Sequence, residues 1–258
     1  MISEQLECVF LAGAPADDNV MQRYGVQWRG DVPLGGRAMS TWVIDALRGS
    51  EKVGRIITIG AEHTGGDIVF PPEKTFLENM MAGVKACSGD LLMVCSSDIP
   101  LIKPEAIDDF VRQGVEKDAD FAYPIISKDL CDRDYPQFKR TCLRLKEGVF
   151  TGGNAVLIRR DFALGIEPRL EELYQARKTP LKLAGMIGFG SLIRVILAQK
   201  VWSKAIDIAS IEDAAGRVVG GKLRAVISQY PELGEDVDKL EDFALADQLL
   251  ASHQSPIV

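Results

Sequence analysis

No two of the five cysteines in this chain are spaced as CxxC, positive charge is in deficit, and no apolar run reaches the length of a membrane span. Each lack removes a class of function. Cys8, Cys87, Cys95, Cys131 and Cys142 are odd in number and lack redox or metal spacing, so reduced, buried thiols in a cytoplasmic protein are expected. A net charge of −7 speaks against nonspecific binding to nucleic acid or anionic membranes, which wants a basic face. The most apolar stretch, Leu183 to Ile193, is far short of the ~20 residues of a spanning helix. Met1 to Glu7 is acidic and lacks the basic start of a secretory signal. There is no repeat, low-complexity tract or long linker, and His63 and His253 have no evident partner in sequence.

What is present suits one large α/β domain over residues 1–258: a chain that is 47% hydrophobic, with strands and helices alternating through its first half. Strand runs are read at Leu6 to Ala12, Arg55 to Ile59, Asp67 to Phe70, Leu91 to Cys95 and Phe121 to Ile126. Helical spacing appears at Met39 to Leu47, after the capping box Thr75-Phe76-Leu77-Glu78, and from Pro104 toward Lys117. Thr141 to Leu145 and Asn154 to Ile158 then suggest an antiparallel insertion. Helices are read near Leu170 to Lys178, Leu181 to Gln199 and Ile211, followed by a strand at Leu223 to Ile227 and a last helix at Leu240 to Leu250. The expected fold is a three-layer α/β sandwich, mainly parallel, with an antiparallel edge and a helical subregion over about residues 165–220.

Two acidic segments carry most of the functional signal. Leu91-Leu92-Met93-Val94-Cys95 runs into Ser96-Ser97-Asp98-Ile99-Pro100, which reads as a buried strand stopping at a carboxylate. In open α/β sheets ligands bind at that edge. Asp236-Val237-Asp238 arrives from the other end of the chain. Together they could form a hard-metal site, because Mg²⁺ takes only one or two carboxylates plus phosphate oxygens. Plainer roles stand beside these: Asp98 as a turn or capping residue, and Asp238 with Glu241 as a capping box for the last helix.

The order of segments resembles the MobA-like and sugar-phosphate nucleotidyltransferases. Leu11-Ala12-Gly13 resembles the start of their glycine-rich loop, and Val32 to Met39 the segment opening their second helix. Gly89-Asp90 through Asp98-Ile99-Pro100 resembles their metal-binding strand end, Thr151-Gly152-Gly153-Asn154 their acceptor-side loop, and Asp238 to Asp242 their closing motif. The resemblance implies a Rossmann-like, glycosyltransferase-A type fold and transfer of a nucleoside monophosphate from a nucleoside triphosphate to a small phosphorylated acceptor. It implies Mg²⁺ on Asp98 and Asp238, and nucleotide binding by Leu11, Ala12, Gly13, Ala14 and Asn79. Arg29 and Asp98 would be catalytic, with Gly152, Gly153, Asn154 and Arg144 on the acceptor.

The chain departs from that pattern at Ala14-Pro15-Ala16-Asp17-Asp18, where further glycines and a basic residue are usual, and Arg29 stands by spacing for a lysine. Proline has no N–H to offer a phosphate, and the two aspartates suit one only if turned to solvent. Arg29 could instead lie on the surface and pair with Asp31. Thr151 to Asn154 could be only a turn, with bare N–H groups on the acceptor as the sharper reading. Lys139, Arg140 and Arg144 face either a phosphate or solvent on a charged edge. Leu181 to Gln199 fits a core, a homodimer interface or an apolar acceptor cover. A glycosyltransferase using a nucleotide-sugar, and a non-catalytic nucleotide sensor, remain the alternative functions.

Overall fold

The computed structural model describes residues 5–176 and 206–253. The apolar run Leu6–Leu11 (β1) is buried on both faces, as a parallel strand between two helix layers must be. Val53–Ile59 (β4), Ile68–Phe70 (β5) and Leu91–Ser96 (β6) join it in the parallel order β5-β4-β1-β6. Pro33–Leu34 (β2) and Arg37–Ala38 (β3) form a separate small ribbon.

Side chains alternate across the main sheet. Cys8 and Phe10 meet Val43, Leu47, Ile107 and Phe110 of helices Met39–Gly49 (α2) and Pro104–Glu116 (α4). Val9 and Leu11 meet Leu77, Met80, Met81 and Val84 of helix Phe76–Ala86 (α3) on the other face. Thr75 caps α3 as its spacing predicts, its hydroxyl accepting from the Glu78 N–H at 3.1 Å.

Beyond β6 the sheet takes in two reversed strands, Gly148–Gly152 and Ala155–Arg159. Ala155–Arg159 (β10) runs antiparallel to β6 and to Phe121–Ser127 (β7), and Leu223–Ser228 (β11) lies parallel to β7. Gly148–Gly152 (β9) pairs with the later half of β7 and with Leu143–Leu145 (β8). The segment 148–159 is thus one bent ribbon along β7, interrupted at Gly153-Asn154.

Several elements differ from the sequence reading. Asp18–Tyr24 is a helix (α1), capped by Asp17 and ended by Gly25 in the left-handed region. Lys128–Asp134 (α5) is also helical, and β9 was not expected. Arg160–Ala176 (α6) starts ten residues before Leu170 and holds Pro168 inside it. Ile208–Val219 (α7) and Leu240–His253 (α8) follow as expected. Leu181 to Gln199 lies outside the described residues. No helix among the described residues is long and apolar enough to cross a membrane.

A third core seats the chain's last helix beside its first loop. Phe243, Ala246 and Leu250 of α8 pack with Val20, Val32, Leu34 and Met39, and Asp247 accepts from the Gly35 N–H at 2.7 Å. The five cysteines are free thiols, four of them buried.

Candidate functional site

The loop after β1 is held by the strand-like segment that delivers Arg29. Ala16 N–H bonds the Gln27 carbonyl at 2.9 Å, and Arg29 N–H bonds the Ala14 carbonyl at 2.9 Å. Asp17 accepts from the Val20 N–H at 2.9 Å, so its charge caps α1. Asp18 is exposed in the first turn of α1, and neither aspartate lines the cleft described below. Arg29 does not pair with Asp31, which faces His63 at 2.8 Å. Its Nη1 instead donates to Asp238 Oδ1, and its Nε is buried with no hydrogen-bond partner.

Asp98 sits just past the carboxyl end of β6. Its Oδ1 accepts from the Ser96 hydroxyl and from Asn154 Nδ2 at 3.3 Å, and its carbonyl accepts from the Val237 N–H at 2.8 Å. That last bond ties the closing acidic segment to the strand end. Burial pushes the Asp98 carboxyl up against the Ser96 hydroxyl; the Asp238 charge adds to the rise and Arg29 opposes it. Asp236 is pushed up to about 6 by burial and by the charges of Asp238 and Asp98. Three carboxylates repelling one another beside one arginine are a place where a cation stabilises the ionised forms. No group of three His, Cys, Asp or Glu among the described residues is arranged to hold a metal alone. The donor set therefore suits Mg²⁺ carried with phosphates, for which one or two carboxylates suffice.

Asp238 does not cap α8. The helix begins at Leu240, and Asp242 accepts from the Lys239 N–H at 3.0 Å, leaving Asp238 to Arg29.

Between the first loop and Asp98 opens a cleft of about 200 Å³. Leu11, Gly13, Ala14, Arg29, Asn79 and Asp98 all line it, while Ala12 is buried behind the loop. Asn79 Oδ1 accepts from the Glu73 N–H at 2.6 Å, fixing the turn before α3. Lys74 and Phe76 also line the cleft, and neither stood out in the sequence. The available signal was a basic residue just before the Thr75 cap and an aromatic one just after it.

The acceptor-side residues divide. The N–H groups of Gly153 and Asn154 are engaged by the carbonyls of Pro124 at 3.0 Å and Leu233 at 2.9 Å, so neither is bare. A Cβ on Gly153 would stand 2.6 Å from the Leu233 carbonyl oxygen, so close packing accounts for this glycine. Asn154 faces Asp98 through its side chain. Arg144 is exposed on β8, its neighbours Leu143 and Leu145 turning to Phe150. Arg140 does not reach the cleft: its side chain is buried and bonded to Glu235 at 2.7 Å, to Asp132 at 3.1 Å and to the Tyr135 carbonyl at 2.9 Å. Burial, against Arg140, pushes Glu235 up to about 7.

Comparison with known proteins follows this geometry. A family model described as a MobA-like NTP transferase domain matches residues 8–182. A hypothetical transferase from Thermus thermophilus of known structure is 31% identical, with a TM-score of 0.82 over 93% of this chain and 99% of that one. A nucleotidyl transferase from Methanothermobacter is similar at 14% identity and a TM-score of 0.57, over 97% of this chain and 99% of that one. A 4-diphosphocytidyl-2C-methyl-D-erythritol synthase from Anaerococcus prevotii is similar at 12% identity and a TM-score of 0.57, over 96% and 99%. These last two likenesses concern the fold. A search of curated proteins gives no significant match.

Proposed function

The chain belongs to the MobA-like NTP transferase family, and from that premise we propose that it is a Mg²⁺-dependent nucleotidyltransferase acting on a small phosphorylated acceptor. The observation that carries the reading is the Arg29–Asp238 contact at the rim of the cleft between the Gly13 loop and Asp98. It brings a cation for phosphate and a second carboxylate for metal to one place, from opposite ends of the chain.

In this reading the triphosphate lies along Leu11 to Ala14, with Arg29 and Lys74 offsetting its charge. Asp98 and Asp238 hold Mg²⁺, which when bound neutralises charge building on the phosphates. Ser96 and Asn154 keep the Asp98 carboxylate in place. An oxygen of the acceptor phosphate forms a bond to the α-phosphorus. The bond from that phosphorus to the bridging β-oxygen breaks, and pyrophosphate leaves with the electron pair. Positioning and charge stabilisation supply the rate.

The test is a thermal-shift screen of nucleoside triphosphates with and without Mg²⁺, followed by product analysis. A ligand at 100 times its Kd adds ~2.7 kcal/mol to the native state. Mg²⁺-dependent stabilisation with pyrophosphate release is the expected result. Free nucleoside diphosphate from a nucleotide-sugar would point to sugar transfer instead. Binding without turnover on any acceptor would favour a sensor, the reading to which the Ala14-Pro15 loop lends weight.

A further inference from the structure

A second cavity, of about 330 Å³, lies on the same face of the sheet as the nucleotide cleft. Its walls are Phe121, Tyr123, Leu145, Phe150, Ile211 and Ala225, drawn from β7, β8, β9, β11 and α7. In the strand order β6-β10-β7, β10 alone separates the strand that ends beside Asp98 from the strand that carries Tyr123. Asp98 at the end of β6 meets Asn154, the ribbon continues back to Gly152, and Tyr123 Oη lies against Gly152, 2.1 Å from where a Cβ would stand. Tyr123 is also within electrostatic reach of Asp236. A side chain at position 152 would displace Tyr123 from this contact, so the glycine lets Tyr123 pack against the ribbon that leads to Asn154 and Asp98.

Three polar side chains at the cavity rim already have partners. Glu212 faces Arg224 at 3.5 Å and accepts from the Ala225 N–H at 2.7 Å. Thr151 donates its hydroxyl to the Thr141 carbonyl at 3.0 Å. The Tyr123 hydroxyl, on a partly exposed residue, makes no hydrogen bond among the described residues. A sugar needs a partner for each hydroxyl, and burying one unpaired costs about 1–3 kcal/mol. A hydrocarbon needs none.

We infer that this cavity receives the aliphatic body of the acceptor, whose phosphate lies at the Asp98–Asp238 end: the acceptor class is an alkyl or branched-chain monophosphate rather than a sugar phosphate. The inference rests on the nucleotidyl-transfer reading, and the bond changes are those given there. The phosphate oxygen attacks the α-phosphorus and pyrophosphate departs, while the chain is bound without being altered.

The test is calorimetric binding of n-alkyl monophosphates from ethyl to decyl to the full chain, below their micelle concentrations, with triphosphate binding measured separately. Affinity should rise about two- to fourfold per methylene until the cavity is full, the upper figure corresponding to ~0.8 kcal/mol per buried CH₂. Ala215→Trp on α7 and Ala225→Leu on β11 fill the space from opposite walls. Each should flatten the series while affinity for ethyl phosphate and the melting temperature hold. Two variants guard against one that fails to fold. Equal affinity along the series, or a rise that survives both variants, overturns the inference. Triphosphate binding with a flat series leaves nucleotidyl transfer standing without this acceptor. A rising series without triphosphate binding keeps the cavity assignment and removes the transfer reading.

Discussion

Arg29 donates from Nη1 to Asp238 Oδ1 across 209 positions of sequence, so the cation proposed for phosphate rests on the carboxylate proposed for metal. The contact competes with any ligand for one oxygen of Asp238 and one nitrogen of Arg29. Arg29→Ala should therefore have effects of opposite sign. Mg²⁺ should bind the nucleotide-free variant more tightly, since Asp238 is released. Triphosphate should bind about 1.5–3 kcal/mol more weakly, the range for hydrogen bonds to a charged group. Arg29→Lys should recover part of the triphosphate loss, because the fork is gone but the charge remains. Titration calorimetry with Mg²⁺ alone and with triphosphate separates the two; unchanged metal affinity would sink the interlock.

Gly153 has no room for a side chain. In Gly153→Ala the new Cβ would meet the Leu233 carbonyl oxygen at 2.6 Å and Pro124 Cγ at 2.9 Å. The expected cost is about 1–3 kcal/mol of stability, as for overpacking in general. Urea unfolding reads it directly. Asn154→Ala should do the reverse, sparing the fold but lowering metal affinity, since Asn154 supports Asp98.

Arg140 and Glu235 form a buried ion pair, with side chains 5% and 1% exposed. Removing one partner strands the other charge. Arg140→Ala should destabilise by about 3–5 kcal/mol, whereas Arg140→Met with Glu235→Met should recover most of that, because desolvation of both charges disappears. Melting curves of the single and double variants decide it. A mild single variant would return Arg140 to the surface role.

Glu7 ties β1 to the turn before β6. Its carboxylate accepts from the Ser88 and Gly89 N–H groups at 2.5 and 2.6 Å, and pairs with Arg55. Burial opposes ionisation, but these donors outweigh it and hold the carboxyl below its ordinary value of 4.5. A depressed carboxylate stabilises the fold above its unfolded pKa, and that stabilisation fades as pH falls through the folded value. Glu7→Gln should cost about 1.5–3 kcal/mol at neutral pH. The gap from the parent should shrink steadily in unfolding experiments carried toward pH 3. A pH-independent gap would mean that packing, not charge, matters at this position.

The sheet was legible because its strands are apolar runs ended by glycine, proline or aspartate, as at Leu6 to Leu11 and Leu91 to Ser96. Helix α3 was legible from Thr75 and the spacing of its apolar face. Long-range pairing was not. Nothing local to Arg29 distinguishes Asp31 from Asp238 as its partner, and nothing in Lys139-Arg140 says which one is buried on Glu235. Asp238 and Glu241 have the spacing of a cap, yet the helix starts where Asp242 can do that work. Gly153 looked like a bare loop because the carbonyls that engage it come from Pro124 and Leu233, remote in sequence. Lys74 and Phe76 line the cleft through the packing of α3 on the sheet, which no local pattern announces.

Strands β1, β4, β5 and β6 all come from the first 96 residues, whereas Asp238 is held by Val237 and α8 near the end of the described chain. Domains emerging from a ribosome fold from the N-terminus at about 5–20 residues per second. Asp238 is therefore translated roughly 7–28 seconds after Asp98. Over that interval Arg29 lacks Asp238 as a partner. Translation order thus delays the resting partner of Arg29 until Asp238, and the α8 that packs beside the first loop, have been made.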